Sequence, residues 1–207
     1  MNSLICDLRR AICSLPFAAA VLIQYLILRS SGFDSDLYRM SVPLVCTFPY
    51  TCAWLDESKS GFFRLALPRT SVFWYIAGKY AACIFSGGLA ELSAALLYAK
   101  TQPVKMPENL SLIFFCGALW AGVSALLAAV SGSKYPAYGG GFVVCYFLVI
   151  LHERYWKTCY FIDPYEWLVP QQTWEFGQSG LRLMLGGLML LFGMCYGVIL
   201  ERRLSNA

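Results

Sequence analysis

Histidine is almost missing from this chain: His152 stands alone among 207 residues. With one imidazole and no Glu-Glu pair, the usual ligand sets for a protein zinc site cannot be assembled, which sets aside a paired-glutamate metalloprotease. The nine cysteines (6, 13, 46, 52, 83, 116, 145, 159 and 195) form no Cys-x-x-Cys pair and lie mostly inside apolar runs. They read as small buried apolar side chains, not as metal ligands or a disulfide framework. Charged residues are scarce as well, at 14%, and the net charge of +4 is scattered among connecting segments. No basic face for nucleic acid results. A cleavable signal peptide is not expected either. Arg9 and Arg10 precede an apolar stretch, but no small-x-small site follows before Arg29, so the first span is expected to stay in the mature protein.

What is abundant is apolar surface. The chain is 58% hydrophobic and 16% aromatic, with a mean hydropathy of +0.58, more than a soluble domain usually carries. A hydrocarbon core about 30 Å thick needs roughly 20 apolar residues per helix. Six runs approach that length: Ala11–Leu28, Leu37–Leu55, Ser71–Tyr98, Leu110–Val130, Tyr138–Leu151 and Leu181–Leu200. They are continuous, not alternating, so helices are expected and a barrel is not. The expected fold is a single all-α polytopic membrane domain over 1–207, with six transmembrane helices.

The connecting segments carry their own signals. Leu4, Ile5, Leu8 and Ile12 recur at helical spacing, with Asp7, Arg9 and Arg10 elsewhere on the wheel, which suits an interfacial helix over 1–13. Pro16 marks the bend into the first span, and Pro43 and Pro49 interrupt the second. The stretch 153–178 mixes Trp156, Tyr160, Phe161, Tyr165, Trp167, Trp174 and Phe176 with charges and prolines. Trp and Tyr at this density belong at the water–lipid boundary. Short re-entrant helices in the outer leaflet are expected there, with Trp156, Trp167 and Trp174 as interfacial anchors.

A charged elbow joins the second and third runs. It reads Asp56-Glu57-Ser-Lys59-Ser-Gly61-Phe62-Phe63-Arg64-Leu-Ala-Leu67-Pro68-Arg69-Thr70-Ser71, then apolar residues to Gly78-Lys79. A helix at the membrane face would bury Phe62, Phe63, Leu65 and Leu67 while Asp56, Glu57, Lys59 and Arg64 face water. Pro68 stops it. Rigid continuation into the third span would turn a push on 56–70 into a tilt of that span.

This elbow resembles the cytoplasmic region between the second and third spans of type-2 ABC exporter permeases. The family pattern runs from an acidic residue through Gly, an apolar stretch, Leu-x-x-Pro and a basic or small residue to Gly-Lys. It falls here on Glu57, Gly61, Leu65 or Leu67, Pro68, Arg69, Thr70 and Gly78-Lys79. Asp163-Pro164-x-Glu166-Trp167-Leu168 is similar to the opening of the family's outer segment before the last span. The resemblance implies an ATP-driven exporter's transmembrane subunit that performs no bond chemistry and carries no cofactor. ATP and Mg would bind a separate ABC ATPase subunit. That ATPase would grip Asp56, Glu57, Gly61, Phe62, Arg64, Leu67, Pro68 and Arg69. A second permease copy, identical or not, would complete the pathway in membrane lipid. The implied location is the cell membrane, with both termini cytoplasmic. Nine Lys/Arg on the termini's side against seven opposite agree with this.

Single residues add detail. Glu91 is the only acid well inside a span, so it should face the bundle interior, water or a dimer mate. It is either part of a translocation path or subunit contact, or a carboxyl satisfied by neighbours such as Ser86 or Ser124. Lys79 is expected to snorkel to the interface as an anchor, with an anionic-lipid site as the alternative. Gly193-x-x-x-Gly197 fits close helix packing, between subunits or within one. Gly177-Gln178-Ser179-Gly180 spells the motif of intramembrane serine proteases, but His152 precedes the serine instead of following it. Ser179 is therefore expected to cap the last helix. Two rival functions stand beside the exporter: a six-span substrate-binding subunit of a vitamin importer, and an intramembrane serine hydrolase. An outer aromatic belt favours an amphipathic cargo, a lipid-like molecule or an antimicrobial peptide.

Overall fold

The computed structural model describes residues 3–61, 71–102, 110–170, 174 and 176–205. Among these, all regular structure is helical. Helix α1 (Ser3–Ile12) meets α2 (Leu15–Ser31) at a bend of 50°. Ser14 sets the bend: its hydroxyl accepts the Phe17 N–H at 3.2 Å, meeting a helix-start donor that would otherwise lack a partner. Pro16 sits in the same first turn, where its missing N–H costs nothing.

The run expected as a second span is broken. Helix α3 (Asp36–Val45) starts on a Ser35 cap and stops after Val45. The chain then turns through 46–52 before α4 (Ala53–Ser60). Pro49 explains the interruption, since it has no N–H to donate and disfavours helical backbone at Phe48. The irregular stretch is enclosed by protein, with Cys46, Thr47, Thr51 and Cys52 all buried. Non-helical backbone at membrane depth is tolerated in just this circumstance. Gly87 makes the room for it: a Cβ there would stand 2.9 Å from the Cys46 carbonyl oxygen.

Four helices are long and apolar enough to cross a membrane: α5 (Val72–Thr101), α6 (Leu110–Ser131), α7 (Lys134–Arg154) and α9 (Gly177–Ser205). The bent α1–α2 pair makes a fifth candidate. Among the described residues the expected six continuous spans are thus four, or five with the bent pair, because the second run is divided. Helix α6 is the hub, packed against α5, α7 and α9 and about 33 Å long at roughly 1.5 Å per residue. Its Leu112, Leu119, Trp120 and Ala121 are buried, whereas Leu183, Leu190 and Met194 of α9 face outward.

Between α7 and α9 lie a 3-10 turn (Tyr160–Ile162) and the short α8 (Pro164–Leu168). Asp163 caps α8 by accepting the Tyr165 N–H at 3.0 Å. Helix α9 begins at Gly177, two residues before the expected cap, so Ser179 lies inside its first turn. The reversal occurs earlier, where Phe176 and Gly177 take φ values of 61° and 60°.

Candidate functional site

One ammonium group gathers four segments of the chain. Tyr75 and Lys79 are one helical turn apart on α5 and share a face. Lys79 is 4% exposed. Its Nζ donates to Glu57 Oε1 of α4 at 2.6 Å, to Asp7 Oδ1 of α1 at 2.8 Å and to the Tyr50 hydroxyl of the 46–52 turn at 3.0 Å. An ammonium has three donors, and all three are used. The Tyr50 hydroxyl donates in turn to Asp7 Oδ1 at 2.7 Å, and Tyr75 donates to Glu57 Oε2 at 2.7 Å. Arg10 Nη1 approaches Glu57 Oε1 at 3.5 Å from the outer side. The Lys79 ammonium also sits 5.5 Å from the centroids of the Tyr50 and Tyr75 rings, in cation–π range. Two cations balance two carboxylates: Lys79, Glu57 and Asp7 form the enclosed part of the set, and the exposed Arg10 sits at its rim.

This geometry corrects two expectations. Glu57 does not face water; it is 4% exposed. Lys79 does not snorkel to an interface, because two carboxylates inside the protein offer it a better partner than solvent. Asp56 is exposed and pairs with Lys134 at the start of α7, at 2.6 Å. Gly61 ends α4 with φ 70°, and its N–H bonds back to the last turn. That left-handed position is strained for residues with a Cβ. Phe62, Arg64, Leu67, Pro68 and Arg69 lie outside the described residues.

The same end of the bundle holds further ties. Arg203, near the end of α9, donates to the Val130 carbonyl at 2.7 Å and lies over the Trp54 ring. The start of α5, the start of α7, α4 and the end of α9 therefore meet there.

Glu91 occupies a second polar position, deeper along α5 and fully enclosed. Ser41 donates to Gln24 Oε1 at 3.1 Å, which leaves the Gln24 amide nitrogen facing the Glu91 carboxyl without closing a hydrogen bond. Gly117 of α6 packs against the stem of Glu91; a Cβ there would meet Cγ at 2.7 Å.

The three tryptophans expected as anchors divide. Trp156 is exposed. Trp174 packs edge-on against Tyr160, at 5.0 Å between centroids. Trp167 is turned into the protein: it is 5% exposed and stacks on Trp120 of α6. Its indole N–H donates to the Phe161 carbonyl, so the protein meets its polar need. Nearby, burial pushes the Asp163 carboxyl above its ordinary range, and pushes the Tyr165 phenol up to about 12. His152 lies 3.9 Å from Asp163; among the described residues no hydrogen bond joins it to Ser179.

Sequence reasoning singled out Glu57 and Lys79 but not that they touch, and it missed Asp7, Tyr50 and Tyr75. The available signal was charge in apolar context: Lys79 stands seven residues into a span, and such a cation needs an anion. No family model, curated protein or solved structure matches this chain.

Proposed function

We propose that the chain is the permease subunit of an ATP-driven exporter of the type-2 ABC class. It works with a separate ATPase that binds ATP and Mg, and with a second permease copy in the cell membrane. The divided segment 36–60 serves as the second of six passes, and both termini lie in the cytoplasm. The observation that carries this reading is the ion pair between Glu57 and Lys79. The acidic residue and the Gly-Lys of the elbow pattern, 22 residues apart in the chain, are 2.6 Å apart in space. Force arriving on the elbow beyond Gly61 passes through α4 to α5 by that pair, and to α1 through Asp7. Tilting of α5 then shifts the pathway for an amphipathic cargo, with no covalent step on this chain.

The test places a photo-crosslinking residue at Lys59, exposed at the end of α4, in the full protein within its native membrane. Trapping of an ATPase subunit there supports the reading. Labelling of Lys59→Cys by an impermeant reagent from outside intact cells overturns it, as does transport by the purified chain without any ATPase.

A further inference from the structure

An apolar groove runs between the first half of α5 and the second half of α9. Its volume is about 580 Å³, within the roughly 300–1,000 Å³ typical of small-molecule sites. Phe73, Ile76 and Tyr80 form one wall, and Leu190, Met194 and Val198 the other. Gly193 and Gly197 lie along its floor but differ. A Cβ at Gly193 would strike the Tyr80 ring at 2.8 Å, whereas one at Gly197 meets nothing within 4 Å. The small-residue pair is thus half used inside the subunit, and its other half is open.

The groove ends on a carboxylate. Glu201 lines it and is exposed, with no hydrogen bond or ion pair among the described residues. Its neighbour Arg203 is turned away to the Val130 carbonyl and the Trp54 ring. An apolar slot with an anion at its mouth that has no partner among the described residues selects by sign as well as by shape. Anionic headgroups are repelled, and a long apolar body bearing a cationic head satisfies both ends.

We propose that this groove binds a cationic amphiphile, its apolar chain between α5 and α9 and its ammonium on Glu201. The wall residues Ile76 and Tyr80 each follow a member of the ion cluster, Tyr75 and Lys79, so an occupant presses on the stretch of α5 that the elbow holds. As a cargo site this rests on the export reading; as a binding site it does not.

The experiment uses the full chain in phosphatidylcholine nanodiscs, with no ATPase present, so binding and export can fail separately. Two probes are compared, a hexadecyl trimethylammonium and a hexadecyl sulfate, each carrying a diazirine midway along the chain. Adducts of the ammonium probe are expected on 72–80 and 190–201, at least about fivefold above the sulfate. Glu201→Gln should remove that preference. Gly197→Phe, whose Cβ has open space among the described residues, should fill the slot and abolish labelling, while Gly187→Phe, outside the groove lining, should not. Equal labelling by both probes, or labelling indifferent to Glu201→Gln, would make the groove a seat for bulk lipid and overturn the proposal. So would crosslinks from a second copy of the chain occupying the groove.

Discussion

Lys79 Nζ lies 2.6 Å from Glu57 Oε1 and 2.8 Å from Asp7 Oδ1, so one cation on α5 holds both α4 and α1. Removing one member of a buried, compensated set leaves uncompensated charge, which costs about 3–5 kcal/mol. Lys79→Met should therefore lose folded protein or lower the melting temperature sharply in detergent. Adding Asp7→Asn and Glu57→Gln to Lys79→Met should restore most of the loss. Simple additivity of the three changes would show that they do not act as one unit. By contrast, the Asp56–Lys134 pair is about half exposed on both sides. Asp56→Asn should barely move the melting curve, and less still in high salt.

At Gly61 the backbone itself sets the requirement. With φ 70°, a Cβ costs about 1–2 kcal/mol, although no described residue crowds the position. Gly61→Ala should destabilise by that amount and Gly61→Asn by less, since Asn tolerates the left-handed region. Equal losses in the two variants, measured by thermal unfolding, would point to a cause other than the backbone.

Gly117 and Glu91 form a size-matched pair. Gly117→Ala places a Cβ 2.7 Å from Glu91 Cγ, and overpacking of this kind costs about 1–3 kcal/mol. Glu91→Ala removes the closest atom but leaves Glu91 Cβ and the Gly87 carbonyl oxygen each 3.1 Å from the new Cβ, so it should suppress part of the defect. If the double variant is no better than Gly117→Ala alone, the clash is relieved some other way.

Asp163 offers a test in pH. Burial raises its carboxyl pKa in the folded protein. The folded state therefore holds the proton more tightly, and stability falls as pH rises through the folded pKa. Asp163→Asn keeps a cap for the Tyr165 N–H and removes the buried charge. It should match or exceed the parent at neutral pH, with the advantage shrinking below about pH 4. Asp163→Ala loses the cap as well and should be destabilised by about 1 kcal/mol.

The long helices were legible because a bilayer imposes length and hydropathy on each run. Ser71–Tyr98 became Val72–Thr101, and Leu110–Val130 became Leu110–Ser131. The break at 46–52 was harder to read, since prolines 43 and 49 signal a bend and a full interruption alike. Asp7 and Lys79 are 72 residues apart, and only tertiary packing brings them together. On the amphipathic wheel of α1, Asp7 looked like part of a solvated face. The fold turns that residue inward and leaves Leu4 and Ile5 exposed, the reverse of a soluble helix's habit.

The anchoring of α1 by Asp7 bears on how this protein is handled. Trimming the first dozen residues, a common convenience in preparing membrane proteins, would strip away an anion from the interior along with its helix. The shortened chain would lose Asp7 and Arg10 together, leaving the Lys79–Glu57 pair but taking one acceptor from the Lys79 ammonium and the acceptor of the Tyr50 hydroxyl, an interior fault from an edit that looks peripheral on paper.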